Sequence, residues 1–319
     1  MSQNSQVPCP LCGVIGQIYK PARGYRGILQ CSRCGHVFAA AVPTGESALY
    51  DASYFEDRAV SYAEFLAGEP HRWRTDFYHG LLKRLEALTE GRRLLDLGCG
   101  VGEFLLVADR RGWEAEGIDV SEAACRIAAQ RTGCAVRAGI LESLSIAAES
   151  FDAVAMLDVI EHVPDPRGTL TVVRRILKPG GFVLLVTVNL RGLSTRLFGA
   201  HNYALDASPA GPGHCHFFTA QTLSGLLQST GYEPMAAETR DIYIHNLTLC
   251  LRRLTGQPDR MEHSGRSAQG RTGAALRAWL QNNALAVHGI AVANTLLLRP
   301  LGLGDQLVVF ARRGHGASA

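Results

Sequence analysis

The chain has very little net charge: 32 lysines and arginines stand against 29 aspartates and glutamates, which leaves +3. So small a basic excess does not argue for a nucleic-acid partner by itself. Also missing is any clean apolar run of the roughly eighteen residues that a membrane helix requires. The opening Met1-Ser2-Gln3-Asn4-Ser5-Gln6 holds no apolar signal region, so a cytoplasmic location is expected. Internal repeats and low-complexity tracts are absent. Hydrophobic residues make up 47% of the chain and charged residues 19%, which suits a sizeable core and argues against global disorder. A length of 319 residues fits one large domain with appendages, or two domains.

Cysteine is present but not in a disulfide pattern. Of nine cysteines, four form the pairs Cys9-Pro-Leu-Cys12-Gly13 and Cys31-Ser-Arg-Cys34-Gly35, with 18 residues between the pairs, and the rest are scattered. Each Cys-x-x-Cys-Gly turns tightly enough to aim both sulfurs at one point, and two such turns make a tetrahedral thiolate cage. The arrangement resembles a zinc ribbon and predicts one structural zinc on Cys9, Cys12, Cys31 and Cys34. A redox reading needs a single pair in a thioredoxin-like setting, which the sequence does not offer. The module, placed at 1–45, is too short to own a large core, so metal binding is expected to supply its folding energy. His36 is expected on its surface.

The central stretch is Arg92 to Phe104. Leu94 to Leu97 is an apolar run of strand length interrupted by Asp96; Gly98, Gly100 and Gly102 crowd a turn; Phe104 onward follows helical spacing. Strand, glycine turn and helix bring backbone N–H groups up to a ligand. A dinucleotide site would place its third glycine at 103, where Glu103 would oppose a pyrophosphate. Asp119 closes the next apolar run 21 residues after Gly98, an offset at which an acid accepts hydrogen bonds from both ribose hydroxyls.

With Leu95-Asp-Leu-Gly-Cys-Gly-Val-Gly102 and Asp119, the chain resembles the class I S-adenosylmethionine (SAM)-dependent methyltransferases. A second match lies further on. Phe151 to Leu157 reads as a strand ending in Asp158-Val-Ile-Glu-His162, and Leu177-Lys-Pro-Gly-Gly181 enters the apolar strand Phe182 to Val188. The resemblance covers Leu94 to Asn189 well and the flanks more loosely. It implies an α/β fold with a Rossmann-like, seven-stranded, mostly parallel sheet and helices on both faces. It also implies SAM contacts from Asp96, Gly98, Cys99, Gly100, Gly102, Asp119, Leu141 and Leu157. Gly139 to Glu142 corresponds to the family's adenine loop, but Ile140 stands where Asp is frequent, so no amine contact carries over to it. Ser121 is expected to cap the next helix, and Tyr232 to Arg240 and Asp305 to Arg313 to be late strands.

Three histidines and one acid are candidates near the reacting groups: His162, His214, His216 and Asp158. Gly213-His214-Cys-His-Phe-Phe218 resembles the Glu-His-x-x-Phe-Phe-like stretch of sugar C-methyltransferases, which implies His214 as the base. His162 and Asp158 are kept as further catalytic candidates. The expected acceptor is a small molecule or a lipid- or glycan-linked intermediate, and ubiquinone-pathway O-methyltransferases look similar over the central motifs. Flanking the core at 91–245 and 304–314 are an expected helical lid at 46–90, which includes the aromatic stretch Tyr50 to Phe65, and a helical insertion at 246–303. Within that insertion, 274–298 is apolar enough for a peripheral contact with the inner membrane face, with the arginines of 252–277 meeting lipid headgroups. Two alternatives stay open: an RNA methyltransferase using the ribbon, and a non-catalytic scaffold. Nucleic acid is not the expected partner, since Cys9 to His36 offers only Lys20, Arg23, Arg26 and Arg33 as a phosphate footprint.

Overall fold

A computed structural model of the chain describes residues 7–18, 27–40, 72–198, 214–235, 237–240, 296 and 298–314. The aromatic stretch 50–65, the arginine-bearing segment 252–277 and nearly all of 274–298 lie outside the described residues. The elements in chain order are β1 (Gly16–Ile18), β2 (Ile28–Cys31), β3 (Val37–Ala39), α1 (Arg72–Leu88), β4 (Arg93–Leu97), α2 (Glu103–Arg110), β5 (Glu114–Asp119) and α3 (Glu122–Thr132). There follow β6 (Ala135–Ala138), a 3-10 turn (Leu141–Ser143), β7 (Phe151–Leu157), α4 (Pro166–Ile176), β8 (Leu177–Val188), α5 (Leu193–Phe198), β9 (His216–Phe217), α6 (Ala220–Ser229), β10 (Tyr232–Pro234), β11 (Glu238–Arg240) and β12 (Gln306–Arg313). The chain forms two compact units. One comprises Val42–Val186, Leu223–Ala236 and Val309–Ala319; the other comprises Met1–Ala41, Thr187–Thr222 and Ala237–Val308.

The larger sheet runs in the order β10-β12-β8-β7-β4-β5-β6, with β11 also paired to β12. Pairings β6–β5, β5–β4, β4–β7 and β7–β8 are all parallel. The mostly parallel, helix-flanked sheet expected from the motifs is therefore present. Its central strands are buried, as the apolar runs predict for strands covered on both faces: Leu94, Leu95, Val154, Met156, Val183 and Leu185 are at 0% exposure. From α1, Leu81, Leu82 and Leu85 join the core at 1% or less. That face carries the periodicity of 3.6 that the sequence shows.

Local chemistry sets the helix starts. Ser121 accepts a hydrogen bond from the Ala124 N–H at 3.3 Å, capping α3 as expected. Asp165 caps α4 through the Gly168 N–H at 3.0 Å, and Pro166 follows where a proline costs no hydrogen bond. Thr219 and Thr222 satisfy each other's N–H groups at 2.9 and 3.1 Å before α6.

One expectation is corrected. Tyr232 to Arg240 is not one strand but two, which makes the sheet eight-stranded rather than seven-stranded. Pro234 pairs with Ala311 and Glu238 with Val308, so three residues oppose two, and the extra residue interrupts the ladder next to a proline. Leu177-Lys-Pro-Gly-Gly181 enters the apolar strand as expected, and it forms a bulge at the start of β8. Phe151 pairs with Leu177 while Ala153 pairs with Phe182, and Gly180 turns at φ 74°.

The other unit holds a four-stranded sheet, β1-β2-β3-β9, antiparallel throughout. Three of its strands come from the cysteine-rich module. The fourth comes from the His214 stretch.

Candidate functional site

The strand order reverses between β4 and β7, which sends β5 and β6 one way and β8 the other. Ligands of open α/β sheets bind beyond the carboxyl ends of the strands at such a switch point. Gly98 ends β4 there, at φ 77°, and a Cβ on it would sit 2.3 Å from Val159 Cγ2. Gly100 and Gly102 continue at φ 52° and 90°. Three left-handed residues within five bend the backbone into a tight arc that only glycine forms without strain, and Val159 packs against it where a side chain on Gly98 would lie.

Asp119 faces that arc. Its Oδ2 accepts from the Gly100 N–H and its Oδ1 from the Ser121 N–H, each at 2.9 Å. Each carboxylate oxygen has a second acceptor site, which suits the two hydroxyls of a ribose. Burial raises the Asp119 pKa, and the backbone N–H groups of Ser121, Gly100 and Val120 oppose the shift. The arc and the acid thus fit the ribose end of a nucleoside.

Glu103 opens α2 at 6% exposure. Its carboxylate pairs with Arg74 of α1 at 3.1 Å. The negative charge stays at the helix start, where it disfavours a phosphate and tolerates a nucleoside without one. Arg74 also stands 5.9 Å from the centre of the Tyr78 ring, and Tyr78 packs edge-on against Phe104. Arg74, Tyr78 and Glu103 line a shallow cleft between α1 and α2. Sequence reasoning missed this cluster; the signal was an arginine in α1 and an acid at a helix N-terminus with no local partner for either.

The remaining expected contacts are distributed as follows. Asp96 lies inside β4 at 2% exposure, where burial and then the Asp119 charge push its carboxyl up to about 8. Cys99 is 7% exposed, and burial raises its thiol pKa. Leu141 is buried at 2% and Leu157 is half-buried. Ile140 is an exposed apolar side chain at 54%, and Glu142 in the same loop is bonded to the Thr169 hydroxyl.

Asp158 follows β7 in a left-handed conformation, φ 56°, which costs a non-glycine residue about 1 kcal/mol or more. Its side chain is exposed, yet the protein around it pushes the carboxyl up to about 6, with the Arg74 charge opposing. Exposure combined with desolvation describes a recessed carboxyl rather than one on a convex surface. His162 is half-buried, and its N–H bonds the Val159 carbonyl at 2.9 Å.

In the other unit, His214 is 8% exposed, and burial pushes its pKa down to about 4, so its ring is neutral at physiological pH. A neutral imidazole can accept a proton. His216 is buried at 1% within β9.

The four knuckle cysteines converge. Sγ–Sγ separations are 3.3 Å for Cys12–Cys31, 3.6 Å for Cys9–Cys34 and 3.7 Å for Cys12–Cys34, too long for disulfides. Four sulfurs about 2.3 Å from a central zinc stand about 3.8 Å apart in a tetrahedron, so the spacing fits that ion. The two knuckles fold alike. Gly13 and Gly35, at φ 75° and 74°, donate to the carbonyls of Cys9 and Cys31. Cys9 and Cys31 in turn donate to the carbonyls of Val14 and His36, both at 2.8 Å. Burial acts to raise the Cys31 thiol, but nearby N–H groups and the Cys12 thiol outweigh it and bring it down to about 7. Lys20, Arg23 and Arg26 lie outside the described residues.

Comparison with known proteins decides the family. Residues 70–237, more than half of the chain, match the methyltransferase domain. The chain belongs to the methyltransferase domain family. Within it, the chain resembles a ubiquinone biosynthesis O-methyltransferase of Dinoroseobacter shibae, 35% identical over 154 residues that make up 46% of this chain and 62% of that relative. A ubiquinone biosynthesis O-methyltransferase of Ralstonia nicotianae is 32% identical over 167 residues, 50% of this chain and 69% of the relative. The chain thus spans under two thirds of the first relative's length. Among solved structures, a phosphoethanolamine N-methyltransferase 2 of Haemonchus contortus in complex with S-adenosyl-L-methionine shares the fold, with TM-score 0.54 and 19% identity, covering 87% of this chain and 61% of that one. The match to the methyltransferase domain begins beyond the cysteine module, so the four-cysteine cluster is an addition to the shared domain. Among the described residues, no helix is long and apolar enough to cross a membrane.

Proposed function

We propose that the protein binds SAM and transfers its methyl group to a hydroxyl of a small acceptor. The observation that carries this reading is Asp119 held by Gly100 and Ser121 against a tight glycine arc, in a chain of the methyltransferase domain family. Gly98, Gly100 and Gly102 would admit the donor, and Asp119 would hold its ribose. The Leu141 loop would border its base, and the Glu103–Arg74 pair favours a nucleoside without phosphate. When bound, SAM supplies an electrophilic methyl on a sulfonium, which the acceptor oxygen takes as its own proton leaves. The chain's part is to hold the two in line, keep water out and accept that proton. The O-methyltransferase relatives support a hydroxyl acceptor, and a lipid- or glycan-linked form of it remains within the same proposal. Asp158 and His162 follow a strand at the switch point and would wall the acceptor side.

The four-cysteine cluster would hold one structural zinc, supported by its sulfur spacing and by the matched folding of the two knuckles. The zinc would stabilise its own sheet and take no part in methyl transfer.

Comparing extracts of cells with and without the protein tests the reading of the reaction. One metabolite or lipid should be replaced, in the deletion strain, by a species lighter by one methylene, and purified protein with isotopically labelled SAM should convert the lighter species back. An unchanged metabolite profile together with no label transfer would end it.

A further inference from the structure

The cysteine module is built as though it could stand alone, yet its sheet is completed from elsewhere in the chain. Strand β3 pairs antiparallel with β9, Val37 with Phe217 and Phe38 with His216, and the Ala39 N–H donates to the Cys215 carbonyl at 2.9 Å. At this seam His36 Nε2 lies 3.2 Å from His216 Nδ1. Both rings are buried, at 0% and 1% exposure, and they stack at 5.4 Å between centres. Phe38 and Phe218 flank the pair, with Phe218 5.0 Å from the His36 ring.

His36 is bound to the metal cage through its backbone. Its carbonyl accepts from the Cys31 N–H at 2.8 Å and so closes the second knuckle. The residue that finishes the knuckle is thus the residue whose ring holds β9. A two-residue strand is too short to order itself, and each of its ladder contacts comes from a partner of three residues. Two buried polar rings are costly unless bonded, so their pairing specifies one register of β9 and penalises the alternatives. His214 stands two residues before β9, joined to it by the buried Cys215.

We propose that the metal-loaded cysteine module is the template that orders the His214–Phe218 segment, with His36 as the positioning residue acting through His216. The functional meaning rests on the reading of His214 as the base. That reading fails separately, if His214→Ala turns over normally, and its failure leaves the result below unaffected.

Hydrogen exchange on the full-length, zinc-loaded protein tests the proposal, with stripping of the metal by a chelator as one arm. Stripping should speed exchange of the 214–219 amides at least tenfold, while amides of β4 and β5 stay within about twofold. His36→Ala, still carrying zinc, should do the same. His36→Gln, whose amide can serve His216 as donor or acceptor, should restore protection to within about threefold of the parent. Exchange at 214–219 that ignores both metal loss and His36→Ala would overturn the proposal. So would a failure of His36→Gln to rescue, or an equal acceleration in β4 and β5, since either reduces His36 to general packing.

Discussion

Replacing His214 by alanine is expected to lower kcat by about a hundredfold or more, with SAM affinity unchanged. The substrate for this measurement is the under-methylated acceptor identified by comparing extracts. A hydroxyl must lose its proton as it takes the methyl, and an unassisted hydroxyl is a poor nucleophile at neutral pH. His214 is neutral there because burial brings its pKa down to about 4. The rate of the parent enzyme should therefore be flat from about pH 6 to pH 8, and should fall only as pH drops toward 4 and the ring becomes charged. An ordinary histidine would show its midpoint near 6.5. The variant should instead recover rate as pH rises, since hydroxide then replaces the missing base. Unchanged SAM affinity in the variant shows that the loss is not unfolding. Normal turnover would move proton removal to His162 or to solvent and end the likeness to the sugar enzymes at this residue.

Removal of the metal ligands should have the second large effect. Purified protein should hold one equivalent of zinc, and Cys31→Ser/Cys34→Ser should hold less than about a tenth of that. Structural zinc in small modules contributes on the order of 10 kcal/mol or more of apparent folding free energy at neutral pH. Strands of three and four residues cannot replace that contribution. The segment 7–40 should therefore become susceptible to proteases in the variant, and β9 should lose its protection with it. The glycine arc and Asp119 belong to the other compact unit, so SAM affinity should stay within about threefold. Metal-free parent protein, or loss of SAM binding together with loss of zinc, would contradict this arrangement.

What could be read in the sequence was written locally. The Gly98–Gly102 turn, the Ser121 cap and the two cysteine knuckles each lie within a few residues, and steric or hydrogen-bonding rules tie each pattern to one conformation. The central strands were legible because residues buried on both faces leave near-continuous apolar runs. What was hidden depended on distant partners. His36 was expected at the surface, but it is fully buried against His216, 180 residues away, and nothing around His36 announces that neighbour. The His214 stretch was read for its histidine alone; that two of its residues form a strand is decided by β3 rather than by its own propensity. The division of Tyr232 to Arg240 rests on a one-residue mismatch against β12, invisible until the register is known. The Arg74–Glu103 pair likewise joins α1 to α2 across the sequence.

The central claim is that the glycine arc and Asp119 hold SAM, and calorimetry of SAM with the parent protein and with Asp119→Ala tests it most directly. The parent should bind one SAM per chain. The variant should bind at least about tenfold more weakly, the scale set by losing charge-assisted hydrogen bonds to two hydroxyls. Saturable binding to the parent with unchanged affinity in the variant would remove Asp119 from the site. No binding to the parent at all would contradict the account.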